Sequence, residues 1–201
     1  MELWEYEREA GAAGHTVVCG CDEAGAGPLA GPVYAAAVVL PLGIEIPGLN
    51  DSKKLSEKKR EALFPIIKEL AVEWAVASVD EKEIDATDIL SARMKAMQLA
   101  IDQLKTAPDF ALIDGNKDHG RSAAITTEHR CIIKGDSLSA SIAAASILAK
   151  VSRDHLMLEM AERYPEYHFE KHKGYGTALH YQALRAYGPC PIHRMTFLKK
   201  L

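Results

Sequence analysis

The segment "SASIAAASILAKV", residues 139–151, constrains the fold more than any other stretch of the chain. It opens a long helical pattern over residues 139–164 and is small or apolar on nearly every face. Such a helix offers no polar stripe to water, so it must be buried in the middle of the fold. The rest of the chain supplies the elements around it. Runs rich in Val, Ile and Ala predict strands over residues 16–21, 32–40, 72–79, 110–113 and 131–133. Ser56 caps a predicted helix over "EKKREALFPIIKEL", where Leu63, Ile66, Ile67 and Leu70 recur at helical spacing and Pro65 predicts a bend. "ATDILSARMKAMQLAIDQLK" carries a core stripe of Met94, Met97, Leu99, Ile101 and Leu104, so its methionines are packing residues. "GTALHYQALRAYG" is a shorter helix, closed by Gly188 and followed by Pro189 and Pro191. Three strands joined by short turns, then strands separated by helices, predict an α/β fold: a mixed central five-stranded sheet flanked by helices, with a C-terminal helical region.

With 201 residues, 48% hydrophobic and 26% charged, the chain can bury one sizeable core. The expected organisation is a single domain over residues 1–201, with an N-terminal extension over about 1–15 and a helical segment and tail over about 165–201. No apolar run approaches the roughly 20 residues of a membrane span, and the acidic start lacks the order of a secretion signal, so a cytoplasmic protein is expected. Cys19, Cys21, Cys131 and Cys190 form no C-x-x-C pair and read as free core thiols. A net charge of −4 argues against a generic polyanion binder, because sequence-independent DNA affinity comes from Lys and Arg on phosphates. Any nucleic-acid surface must be local.

Acids stand where strands end. "VVCGCDEAG" presents Asp22 and Glu23, "FALIDGN" presents Asp114, and "CIIKGDS" reaches Asp136 one residue after its glycine. One acid after a strand is ordinary turn chemistry, but three strand ends behaving alike are harder to dismiss. If the strands of Asp22 and Asp114 are parallel neighbours about 4.8 Å apart, their carboxylates converge at one rim. Clustered carboxylates repel unless a cation sits among them, and oxygen-only ligands select Mg²⁺ or Mn²⁺. Adjacent strand residues face opposite sides, so bringing Asp22 and Glu23 together requires a twist or bulge, which Gly20, Gly25 and Gly27 would ease. The same bare loop lets a ligand approach the main chain, with N–H groups as donors to sugar or phosphate oxygens.

Taken in order, "DEAGAGPLAGPV", "LNDSKKLSEKKRE", "ALIDGN", "KGDSLSASIAAASILAKVSRD", "HKGYGT" and "GPCPIHRMTF" resemble bacterial ribonuclease HII, the type 2 ribonuclease H, from about Val17 to Phe197. The resemblance implies a ribonuclease H-like fold and a divalent-metal endonuclease that cleaves RNA in RNA–DNA hybrids and 5′ of single ribonucleotides in duplex DNA, leaving a 3′-hydroxyl and a 5′-phosphate. It assigns Asp22, Glu23, Asp114 and Asp136 as catalytic metal ligands, with Asp22 bridging two Mg²⁺ or Mn²⁺ ions when substrate is bound. It places the main chain of Gly25, Ala26 and Gly27 against the ribose 2′-hydroxyl, the group that separates RNA from DNA. Tyr175 would pack on the following deoxyribose.

Ser52, Lys53 and Lys54 are further expected substrate contacts, whereas Lys58, Lys59 and Arg60 read as a solvated helix face. Lys150, Arg153 and Asp154 also match the family, but Asp154 lies about five helical turns beyond Asp136 and is taken as supporting. His168 and His172, four apart, are not taken as a metal pair, for want of a third ligand. One position departs from the family: Ala26 stands where Arg or Lys is usual, which removes a phosphate contact while keeping the main-chain donors. A hybrid-binding module without turnover and a Mg²⁺-dependent phosphohydrolase of small molecules are the competing readings. A type 3 relative would need an additional N-terminal domain. The expected partner is nucleic acid, with no membrane, and the protein is expected to act as a monomer. The ending "RMTFLKKL" is a weak signal for a tail that contacts a replication clamp.

Overall fold

The computed structural model describes residues 3–116 and 125–199. Five strands, β1 (Val18–Ala24), β2 (Val33–Val39), β3 (Glu73–Val79), β4 (Phe110–Asp114) and β5 (His129–Ile132), form one sheet of order β3-β2-β1-β4-β5. β1 pairs antiparallel with β2 and parallel with β4, so the sheet is mixed, as expected. Only the β1–β2 connection is short. The expectation of three strands joined by short turns fails between β2 and β3, where α2 (Glu57–Leu70) intervenes. Ser56 caps α2 by accepting from the Lys59 N–H. The helix runs unbroken through Pro65, which lies on the exposed side, where a carbonyl deprived of its partner meets water.

Of the remaining helices, α1 (Glu5–Ala12) and α3 (Glu81–Ala86) were not anticipated. α4 (Ile89–Asp102) starts at Asp88, which accepts from the N–H groups of Leu90 and Ser91. α5 (Ala140–Arg163) starts at Ser139, and α6 (Phe169–His172) and α7 (Ala178–Tyr187) follow. The period of two along β1 sorts its side chains. Cys19 and Cys21 join Ala35, Ala37, Met94, Met97 and Ile101 on the α4 side. On the other side, Ala24, Ala36 and Val38 meet Ile67, Ala144 and Leu148 of α2 and α5. Ile142, Ile147 and Leu148 are fully buried, each worth about 1.5–3 kcal/mol by burial alone.

Two local expectations change. β1 keeps a regular ladder through the acids, with Asp22, Glu23 and Ala24 opposite Ala36, Ala35 and Tyr34, so there is no bulge. Gly20 serves a different purpose: a Cβ there would lie 2.2 Å from the Ser141 carbonyl carbon and 2.3 Å from the Ile142 nitrogen. Its absence of a side chain is what lets α5 rest directly on β1. The N-terminal segment is also more than an extension, because the buried Glu7 carboxylate of α1 accepts from the Ser139 hydroxyl at 2.6 Å and from the Ser141 N–H at 3.0 Å. That contact fixes the start of α5 from outside the sheet.

The C-terminal region closes around Tyr167, Phe169, Met157 and Leu184. Beside them run two buried imidazoles in a chain: the Cys190 N–H reaches His193 Nδ1 (2.9 Å), His193 Nε2 meets His180 Nε2 (2.9 Å), and His180 Nδ1 meets the Tyr175 carbonyl (3.0 Å). One consistent set of tautomers satisfies all three contacts, with both rings neutral. Protonating either ring would set two N–H donors face to face. Burial accordingly pushes His180 down to about 4, and His193 and His172 also lie below the usual imidazole range for the same reason. A depressed folded-state value means that the neutral ring stabilises the fold above pH 6.5, and that this contribution is lost as pH falls towards 4. From His180 the loss is on the order of 3 kcal/mol. Urea midpoints are expected to drop between pH 6.5 and 5, with a shallower slope in His180→Gln; parallel slopes would refute the assignment.

Candidate active site

At the carboxyl ends of the parallel pair β1–β4, the register that sets Cys21 beside Ile113 brings Asp22 next to Asp114. The turn after β5 adds Asp136, whose N–H donates to Asp114 Oδ1 at 3.3 Å. One carboxylate oxygen from each of Asp22, Asp114 and Asp136 lies within 4.8 Å of the others. The convergence expected from the strand ends is present. Asp22 and Asp136 are only 2% and 4% exposed, so the charges share a poorly solvated corner. Burial first, then the neighbouring Glu23 and Asp114, holds Asp22 well above the usual carboxylate range. Burial likewise raises Asp114, with Glu23 adding to it, and raises Asp136, with Asp114 and Asp51 adding to it. Three mutually repelling oxygens without Cys or His suit a small hard dication, which would replace repulsion by ligation.

Glu23 stands apart from this trio. In the regular ladder it projects to the α4 side, where Arg93 Nη2 holds its carboxylate at 2.9 Å. It remains close enough to act on Asp22 and Asp114 through its charge. Arg93 was not picked out from the sequence, since it sits in an ordinary amphipathic helix and its partner is 70 residues away.

The second expected group divides. Lys53 and Lys54 are exposed and line a cleft of about 330 Å³ together with Asp51, Asp114, Lys134, Asp136 and Ser137. Lys53 Nζ lies 3.5 Å from Asp136 Oδ2, and Lys54 Nζ donates to Ser137 Oγ at 2.8 Å. Partial burial works against the Lys53 charge, but the surrounding Asp22, Asp136 and Asp114 outweigh it and raise its affinity for a proton. Ser52 is buried instead, its N–H directed to Ser146 Oγ at 3.3 Å. Arg60 is not a solvated side chain: its Nη1 donates to the carbonyls of Ser52 (3.0 Å) and Leu55 (2.6 Å). Behind it, Asp154 accepts from Lys150 at 2.7 Å and lies 3.9 Å from Arg60, which makes this trio a brace for the lysine loop.

On the other flank of the acids, residues 25–32 form the loop after β1. Gly25 has φ +97 and is packed on Arg153, so only glycine fits there. Tyr175 is 44% exposed and lies beside the loop, with Cε1 3.7 Å from where a Cβ on Gly27 would stand. Leu29 N–H donates to the Gly174 carbonyl at 2.9 Å, which ties the loop to the turn that carries Tyr175. His168 is half-buried, while His172 is buried and spends both ring nitrogens on the main chain of Tyr167 and Gly174, so the two do not make a ligand pair. The side chains of Arg153 and Arg194, both fully buried, also converge on this loop. Their positions in "SRD" and "IHRM" carried no hint of that.

Comparison with known proteins gives one consistent result. The family described as Ribonuclease HII matches residues 19–200. Ribonuclease HII of Endomicrobium trichonymphae is 56% identical over 196 residues, 97% of this chain and 91% of that one. Among solved structures, ribonuclease H2 of Pyrococcus horikoshii superposes with a TM-score of 0.75 at 26% identity, covering 90% of this chain and 93% of the other. The ribonuclease HII in the PCNA complex from Archaeoglobus fulgidus gives a TM-score of 0.73 at 24% identity, covering 92% and 96%.

Proposed function

This chain belongs to the ribonuclease HII family and is a ribonuclease H endonuclease, and from that premise we propose that it cuts 5′ of ribonucleotides, both in RNA–DNA hybrids and singly embedded in duplex DNA. The observation that carries this reading is the placement of the Asp22, Asp114 and Asp136 oxygens beside a glycine loop and an exposed tyrosine. Those three carboxylates, with Glu23 alongside, are the residues that would hold two Mg²⁺ or Mn²⁺ ions. Bound there, such ions supply a water nucleophile at neutral pH and charge for the departing oxygen of an in-line displacement. Water oxygen joins phosphorus and the bond to the 3′-oxygen of the preceding nucleotide breaks, which leaves a 3′-hydroxyl and a 5′-phosphate.

The chain's own residues do the rest. Lys53 and Lys54 present cations to the phosphates on one side of the acids. On the other side, the main-chain donors of Gly25, Ala26 and Gly27 meet the ribose 2′-hydroxyl, and the Tyr175 ring packs on the next sugar. Residues 1–201 are read as one catalytic domain working as a monomer. Among the described residues, no helix is long and apolar enough to cross a membrane. Mapping products on matched duplexes with one or several ribonucleotides tests the reading; cuts elsewhere, or none, would overturn it.

Ala26 lacks the cation usual at its position, so the proposed consequence is weaker substrate binding or a relaxed junction preference with the chemistry intact. Ala26→Arg is expected to tighten binding about tenfold at low salt and to steepen the slope of log K against log salt by about 1, the mark of one added phosphate contact. Titrations at several salt concentrations measure both. An unchanged slope would show that the position does not face a phosphate.

A further inference from the structure

Arg153 and Arg194 are fully buried, yet among the described residues neither has a carboxylate within ion-pair distance. A buried charge without a counter-ion is costly, so it needs a compensating set of hydrogen bonds. Both side chains find that set in main-chain carbonyls. Arg153 donates through Nε to Pro32 (3.0 Å), through Nη1 to Lys173 (2.9 Å) and through Nη2 to Ala30 (3.0 Å). Arg194 donates through Nε to Gly31 (2.9 Å), through Nη1 to Ala26 (3.0 Å) and through Nη2 to Gly25 (2.6 Å) and Gly31 (2.7 Å). Two guanidinium forks thus take the carbonyls of residues 25, 26, 30, 31 and 32, and Arg153 also reaches Lys173, two residues before Tyr175.

This arrangement polarises the loop. A peptide unit points its N–H away from its carbonyl, so carbonyls fastened inward turn donors outward. Among the described residues, the N–H groups of Ala26 and Gly27 have no acceptor within the protein. Gly25 has no side chain because Arg153 Nε would lie 2.1 Å from its Cβ, so the close seating of the guanidinium and the choice of glycine are one constraint. Phe197 stacks 5.1 Å from the Arg194 guanidinium and keeps it in place from below.

We propose that Arg153 and Arg194 are positioning residues for ribonucleotide recognition: they hold the loop carbonyls inward so that the Ala26 and Gly27 N–H groups meet the sugar–phosphate backbone at a ribonucleotide. The inference rests on the reading of this loop given under Proposed function. It separates recognition from catalysis, since neither arginine touches the acids. Loss of an arginine therefore weakens selection of a ribonucleotide while the cleavage step at saturation persists.

The test uses the full chain and its Arg194→Gln variant, with KM and kcat measured on a duplex containing one ribonucleotide and Ki measured for an all-DNA duplex of the same sequence. The parent is expected to show KM at least tenfold below Ki. In Arg194→Gln, KM is expected to rise towards an unchanged Ki, with kcat within about threefold of the parent. A folded variant that keeps the parent's gap between KM and Ki overturns the positioning role. A parent that cleaves but shows no gap overturns the loop reading itself, and the inference with it. Should Arg194→Gln fail to fold, amide order parameters of the parent decide: values of about 0.8 or more at Ala26 and Gly27 support a fixed loop, and values below about 0.6 refute it.

Discussion

Asp22→Asn is expected to reduce cleavage of a ribonucleotide-containing duplex by about 10³-fold or more while leaving the protein folded. The size follows from the role proposed for the residue: a metal ligand that contributes several kcal/mol to charge stabilisation in the reaction would account for three or more powers of ten in rate. Its position, central in the sheet and within 4.8 Å of oxygens from both Asp114 and Asp136, leaves no neighbour able to replace it. Stability is expected to move the other way. Asp22 is buried among like charges, and removing one relieves repulsion with Glu23 and Asp114. In EDTA the thermal midpoint of Asp22→Asn should equal or exceed that of the parent, and added Mg²⁺ should raise it less. A variant that cleaves as well as the parent would end the metal assignment, and a variant that melts far lower would show that Asp22 is mainly structural.

The second large effect concerns a residue with no chemistry of its own. Gly20→Ala would place a methyl 2.2–2.3 Å from the main chain of Ser141 and Ile142, backbone that cannot rotate aside. Overpacking of this kind costs about 1–3 kcal/mol, and the upper end or beyond applies where the clash is with backbone. The damage is expected to reach the site. α5 begins just after Asp136, so pushing α5 off β1 moves Asp136 away from Asp22. Denaturant unfolding should show a loss of about 3 kcal/mol or more, and the folded fraction should bind Mn²⁺ more weakly. Wild-type stability in Gly20→Ala would mean that the helix does not sit as close to the strand as described.

The convergence of acids at the rim was readable because its signals are local. Asp22, Asp114 and Asp136 each follow an apolar run, and parallel pairing of β1 with β4 is enough to bring the first two together. The buried first half of α5 was readable for the same reason, since its composition alone excludes a surface. What the sequence hid depends on partners far along the chain. Glu23 looked as though it required a bulge, but Arg93 of α4 receives it on the opposite face of a regular strand. Ser52 looked like a substrate contact, yet its amide bonds to Ser146, 94 residues later. Arg60 looked solvated, and its donors in fact go to carbonyls of the turn before it. Arg153 and Arg194 were the least legible, because their partners are carbonyls, which every residue possesses and no sequence pattern marks.

The position of β1 between β2 and β4 also bears on how the enzyme comes into being. Its antiparallel partner β2 begins nine residues after β1 ends, so a hairpin carrying Asp22 and Glu23 can assemble early from nearby chain. Its parallel partner β4 arrives only after a loop of some ninety residues closes, and non-local parallel pairing of that kind is slow. The pairing that sets Asp22 beside Asp114 is thus expected to form later than the hairpin. A chain in which β4 has not yet paired with β1 holds Asp22 and Asp114 apart, so metal binding at the cluster is expected to report completion of the sheet.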